Sequence, residues 1–258
     1  QTWQNLEGAL GTSGASLKDV ARVTTWVTDI AALAPWFRIW NELYRPEERP
    51  ASTFVEIPRL ARAGLLVEIQ AIGSLDPIER FNPSGVPGRP YSGVVKNGDT
   101  VYVAGQASID QNAKTVGAGD IRAQIRQTWL NIEEGMKAVG GSLKDIVKVS
   151  TFATDVMAVA PWLDVWQELY GPGEAPASTF VEVPRLARPG LMVEIEAIGY
   201  LGKDVERIKP TTMAQNVPYS QVVRAGETVY VSGQLAYDRN TDLIGHGDIQ
   251  AQLAQVWN

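Results

Sequence analysis

Pro176-Ala-Ser-Thr-Phe-Val-Glu-Val-Pro-Arg-Leu-Ala-Arg-Pro-Gly-Leu-Met-Val-Glu-Ile-Glu-Ala-Ile198 recurs, hardly changed, as Pro50 to Ile72. Thr179, Phe180, Val181 and Val183 are β-formers, Pro189-Gly190 punctuates, and Leu191 to Ile198 alternates apolar with polar, so the stretch predicts two strands. On the second strand Met192, Glu194, Glu196 and Ile198 share one face, while Leu191, Val193, Ile195 and Ala197 share the other. Each copy therefore sets a carboxylate between apolar neighbours. Two readings stand, a solvated outer face or an acid in a pocket.

The repeat extends well beyond this stretch. Gln1 to Leu75 aligns with Gln127 to Leu201 at a constant offset, with about 45 of the positions identical, and Tyr91 to Trp129 aligns with Tyr219 to Trp257. The order is a C-terminal half, a complete unit over 78–201, and an N-terminal half. A second unit must be assembled from 206–258 followed in space by 1–75. Cutting a three-unit chain or permuting a tandem pair would both give this order.

Within the complete unit, Ser92 to Val95 and Thr100 to Ala104 predict a hairpin about Asn97-Gly98. Asp120 caps a helix carrying Ile121, Ile125, Trp129, Ile132, Met136 and Val139 at a 3.6-residue period, stopped by Gly140-Gly141. Its twin is severed: Asp248, Ile249, Leu253 and Trp257 begin the helix, and Trp3, Leu6 and Leu10 continue it. Such short stubs are unstable alone in water, so each is expected to dock on its complement in the same or a neighbouring chain. Gln255 to Asn258 and Gln1 to Gln4 both match Gln127 to Leu130, so Trp257 and Trp3 claim one core position and one of those turns is expected to be displaced. Ile146 to Thr154 predicts a strand, Trp162 to Tyr170 a second helix after Pro161, and a final strand pair closes the unit.

A chain of 258 residues with 45% hydrophobic and 20% charged residues can bury two ordinary cores. A net charge of −6 argues against nucleic-acid and anionic-membrane partners, which need clustered Lys and Arg. No apolar run approaches membrane-spanning length, and cytoplasm is the default location. The absence of cysteine removes disulfides, thiolate metal sites and a Cys nucleophile, and a single histidine, His246, leaves no repeated Ser-His-Asp triad. No cofactor or metal is called for.

Tyr91-Ser with Val101-Tyr-Val-Ala-Gly-Gln106, Gly119-Asp120, Gly141-Ser-Leu-Lys-Asp-Ile-Val-Lys148, Thr154-Asp155 and Val181-Glu-Val with Val193-Glu-Ile-Glu-Ala-Ile198 together resemble the RidA/YjgF family of imine and enamine deaminases. The resemblance covers nearly the whole chain. It implies an α+β fold of two RidA-like units, each a mixed β-sheet backed by two α-helices, with units joining their sheets in threes into a barrel and small pockets at the unit interfaces. It also implies a small-molecule ligand at those interfaces and self-association into groups of three units.

The resemblance further implies roles for particular residues. The first glutamate of Glu-Ile-Glu, which lies near the attacking water in active members, is kept as Glu194 and Glu68. The arginine that clamps the substrate carboxylate after Pro-Ala is replaced by Ser178 and Ser52, and a pocket asparagine of the second helix by Leu163 and Phe37. The opening tyrosine is kept as Tyr91 and Tyr219, and the serine before Gly-Gln survives only as Ser232, being Ala104 in the other copy. A serine cannot make the bidentate pair that arginine makes, and a charge-assisted bond is worth roughly 1.5–3 kcal/mol, so small 2-imino acids should bind weakly. The expected activity is hydrolysis of the C=N bond of an imine or enamine more apolar or less anionic than iminopropanoate. The alternative is a non-catalytic ligand-binding or assembly module on the same scaffold.

Plainer readings accompany each residue. Tyr91 and Tyr219 could pack at an interface, Ser52 and Ser178 could be ordinary strand residues, and Trp36, Trp40, Trp162 and Trp166 fall at helical spacing as core residues do. Arg59, Arg62, Arg185 and Arg188 could be solvated loop charges, or one could replace the missing cation.

Overall fold

The computed structural model describes residues 1–83 and 89–257. Asn258 and residues 84–88, which belong to the second and the complete unit of the expected division, lie outside the described residues. The first segment contains α1 (Thr2–Gly11), β1 (Val20–Val27), α2 (Leu33–Leu43), β2 (Ala51–Glu56) and β3 (Val67–Gly73). The middle segment runs β4 (Ile78–Phe81), β5 (Val94–Asn97), β6 (Thr100–Ala107), α3 (Ile121–Lys137), β7 (Ile146–Ala153), α4 (Val159–Leu169), β8 (Ala177–Glu182) and β9 (Val193–Tyr200). The last contains β10 (Val205–Ile208), β11 (Val222–Ala225), β12 (Thr228–Val231) and α5 (Ile249–Trp257).

The middle segment forms one mixed sheet ordered β4-β5-β6-β9-β7-β8. The hairpin turns at Gly98, whose φ of +55° suits a residue without a side chain. Asp120 caps α3 by accepting from the Ala123 N–H at 3.0 Å, and Gly140, at φ +82°, follows its last turn. Ile125, Trp129, Ile132 and Met136 from α3 are fully buried with Trp162, Val165 and Trp166 from α4. Burying each side chain of this size is worth roughly 1.5–3 kcal/mol. Helix α4 starts at Val159 rather than Trp162, because Pro161, lacking an N–H, fits the first turn.

The closing strands are not partners of one another. β7 lies between them, parallel to β8 and antiparallel to β9, with Val149 opposite both Ser178 and Ala197. The sequence placed two strands in succession without showing that α4 provides the long crossover a parallel β7–β8 pair requires. The first segment repeats the arrangement as β2-β1-β3.

The first and last segments form separate sheets, β2-β1-β3 and β10-β11-β12. Each packs on the middle segment at its own seam, and both seams are built from the same positions. Trp40 Nε1 donates to the Pro90 carbonyl at 2.5 Å, and Trp166 Nε1 to that of Pro218 at 3.0 Å. Arg80 donates to the Lys18 carbonyl and Arg207 to that of Lys144. Ala21, Ala51, Val95 and Ala104 fill one seam, and Val147, Ala177, Val223 and Ala225 contribute to the other. Trp3 occupies the place that Trp129 has in the complete unit: it meets Trp40 edge-on at 5.7 Å, as Trp129 meets Trp166 at 5.8 Å. Trp257 is 86% exposed.

Candidate functional site

The first seam encloses a cavity of about 440 Å³. The half-unit 1–75 supplies Trp36 and Phe37 from α2 and Ser52 and Phe54 from β2; the middle segment supplies Tyr91 together with Gly105 and Gln106 from β6 and Glu194 from the neighbouring β9. Glu194 reaches it because β9 is buried along both faces, and the residue is only 6% exposed. Burial is the main cause that pushes its carboxyl up to about 8; the charge of Glu196 adds to the rise, and a backbone hydrogen bond from Phe54 opposes it. Tyr91 is also raised by burial, with Arg89 and Arg188 lowering it and Glu194 raising it.

Glu196, two residues along β9, faces a different set of partners. It pairs with Arg22 and accepts from Thr53 Oγ1 at 2.7 Å and Thr24 Oγ1 at 3.1 Å, so β1 and β2 supply its partners. Neighbouring glutamates on one strand thus receive opposite treatment: one is paired, the other is desolvated.

The second seam brings Ser178 and Ser232 together beside Tyr219. The Ser178 N–H donates to Ser232 Oγ at 2.8 Å, and that hydroxyl donates to the Ser220 carbonyl at 2.7 Å. Tyr219 and Leu163 pack against the core of the complete unit. Glu68, the repeat of Glu194, is exposed on β3 and joins neither seam within this chain. The structure therefore brings Glu194, Tyr91, Ser52 and Phe37 together, and separately Ser178 and Ser232 beside Tyr219, while Leu163 packs on the core of the middle segment.

Residues 1–74, 84–201 and 210–258 match the Endoribonuclease L-PSP family. The chain belongs to this family, the RidA/YjgF group. A RutC family protein of Pyrococcus horikoshii is 39% identical over 111 residues, which is 43% of this chain and 86% of that protein. One from Sulfurisphaera tokodaii is 39% identical over 112 residues, 43% of this chain and 88% of that one. Among solved structures, RidA from an Antarctic Psychrobacter is 33% identical, covering 47% of this chain and 98% of its own at a TM-score of 0.43. A Rid protein from Yersinia pestis is 28% identical, covering 48% and 99% at a TM-score of 0.45. Each relative matches slightly less than half of this chain, which carries the L-PSP sequence in tandem.

Two residues of this L-PSP cavity, Gly105 and Arg89, escaped the sequence reading. Gly105 leaves the space into which the Glu194 carboxyl reaches. Arg89 precedes Pro90-Tyr91, and its repeat is Val217, so no periodic signal marks it. Arg188, one of four arginines open to two readings, lines the cavity from the loop before β9. Among the described residues no helix is long and apolar enough to cross a membrane.

Proposed function

We propose that this chain is a RidA-like hydrolase that converts the C=N group of a reactive imine or enamine, with water, into a carbonyl and ammonia. The observation that carries the reading is Glu194, a carboxyl held near pKa 8 at an inter-module cavity beside Tyr91. Around neutral pH it is mostly protonated. It donates its proton to the imine nitrogen, and the carboxylate left behind takes a proton from the water that adds to the carbon. A second transfer through the same group, from the new hydroxyl to the amine, expels ammonia and leaves C=O, with Glu194 again protonated. Apolar walls from Trp36, Phe37 and Phe54 exclude bulk water from the electrophile. Ser52, neutral and short at the place of the family's arginine, makes small 2-imino acids poor substrates.

A second role is favoured at the other seam. Ser178 and Ser232 meet there beside Tyr219 without a carboxylate corresponding to Glu194, so within one chain that seam binds or assembles rather than reacts. Completing it is the proposed task of self-association: 206–258 of one chain and 1–75 of another form one unit, units collect in threes, and Glu68 then reaches a seam of its own. The catalytic reading is tested by ammonia release from a freshly generated imine. Glu194→Gln should remove the acceleration, and an unchanged rate removes the proposed role.

A further inference from the structure

The cavity beside Glu194 has a charge balance that the strand serine alone does not suggest. Arg89 and Arg188 both line it, and Glu194 is its only acidic lining residue among those described. Arg188 is exposed, Arg89 is partly buried and Glu194 is buried, so the charged groups are graded from the solvent side inward. All three act on the Tyr91 hydroxyl, which places them about one space. Arg188 Nη1 is held by the Ala113 carbonyl at 2.8 Å, and the Arg89 guanidinium lies near Gly93 and 5.4 Å from the Tyr91 ring centre. Neither guanidinium has a carboxylate within 4.0 Å among the described residues, although Asp110 and Glu134 line the recess on the far side of Arg89. The same cavity is lined by the apolar Phe54, Ile109 and Leu191.

We infer that Arg89 and Arg188 take over the anion-binding task that Ser52 has given up, and that they select an organic carboxylate whose charge is separated from the reacting carbon by an apolar segment. The inference rests on the catalytic reading only for which end of the ligand reacts; the anion site stands on the lining residues. A carboxylate bonded directly to the C=N carbon would lie beside Ser52 and the buried Glu194, deeper than the exposed Arg188. One several bonds away spans the apolar walls and meets Arg188 and Arg89. A carboxylate bound by a guanidinium gains a charge-assisted bond that its neutral amide lacks, a difference of about tenfold or more in affinity. The second seam offers Val217 where the first has Arg89, so the preference belongs to the first seam.

Calorimetric titration at neutral pH with 4-phenylbutanoate, 4-phenylbutanamide and 2-oxobutanoate tests this. The expected result is that 4-phenylbutanoate binds about tenfold or more tightly than its amide and more tightly than 2-oxobutanoate, with affinity falling as salt is added. Arg89→Gln with Arg188→Gln should erase the preference for acid over amide without changing the thermal midpoint by more than a few degrees, Arg188 being exposed. Equal binding of acid and amide, no binding of either, or a preference that survives in the double variant would overturn the inference. Titrating Glu194→Gln separates the two readings. If ammonia release depends on Glu194 but acid and amide bind alike, the hydrolase stands without this site. If the acid preference holds with no Glu194-dependent release, the site remains an anion-binding one and the chemistry is removed.

Discussion

The Glu194 carboxyl fills the space that a β-carbon on Gly105 would need, with Thr53 Oγ1 3.1 Å from the same point. Gly105 is thus a glycine for reasons of clearance, and the atom it clears is the one assigned to proton transfer. Gly105→Ala should push the carboxyl aside rather than unfold the chain, because the obstructing atom ends a flexible side chain. Ammonia release is expected to fall about tenfold or more, since small displacements of a reacting group are costly. Gly233→Ala at the other seam meets only the Thr179 side chain, at 3.1–3.2 Å, and serves as the control. Equal rates in the two variants would remove the link between Gly105 and Glu194.

The raised Glu194 pKa fixes the sign of a stability change with pH. Between its ordinary 4.5 and about 8 the folded chain keeps a proton that the unfolded chain releases, so this group's contribution falls as pH rises through that window. Lys148, lowered by burial to about 8 from 10.5, acts in the opposite sense only above pH 8. Urea unfolding of Glu194→Gln between pH 5 and 8 should therefore lose a downward slope present in the parent chain. Parallel curves for the two proteins would mean that Glu194 titrates normally.

Glu196 tunes its neighbour from a position where it touches no cavity atom. Its charge helps to raise Glu194, so Glu196→Gln should shift the basic limb of the activity profile toward lower pH. The charged groups around Glu194 are Glu196 on its own strand and Arg89 and Arg188 at the cavity, beside the neutral Tyr91 hydroxyl. Removing Glu196 also strands Arg22, whose side chain is 13% exposed, and breaking a buried pair costs about 3–5 kcal/mol. Arg22→Met combined with Glu196→Gln should restore much of that stability while keeping the shifted profile. A double variant with the parent profile would show that Glu196 does not act through its charge.

The local pattern carried the elements well. Alternation placed β9, the 3.6-residue period placed α3, and Asp120 and Gly140 bounded it near the observed ends. Alternation could not say which face of β9 was wet, because that depends on what another module lays across it. In the complete unit β1 and β2 cover Glu196 and the seam covers Glu194; in the copy the matching Glu68 and Gln70 stay exposed. Closely similar local sequence therefore acquires opposite burial from non-local packing. The family motifs located Glu194, Tyr91 and Ser52, whereas Arg89 and Gly105 matter through approach in space and leave no spacing to read.

The same contrast between copies gives an assembly prediction. Val101 and Val103 on β6 are fully buried against β9, while their repeats Val229 and Val231 on β12 are 56% and 48% exposed. On the helices, Ile125 is buried and Leu253 is 51% exposed. The β6–β9 register, carried over by the repeat, would pair Val229 with Gly73 and Val231 with Ala71 across two chains. Each chain holds both complementary edges, and β3 and β12 are each paired on one side only among the described strands, so an exposed edge invites its complement. Because Trp3 already fills the shared core position against Trp40 and Tyr44, the last turn of α5 should stay frayed when the halves meet. Light scattering at rising concentration should give a mass above one chain, and Val231→Lys should lower it with little loss of stability in the separated chain, its site being half exposed. A parent chain that keeps a single-chain mass at high micromolar concentration would mean that the exposed edge has no complement in a second copy.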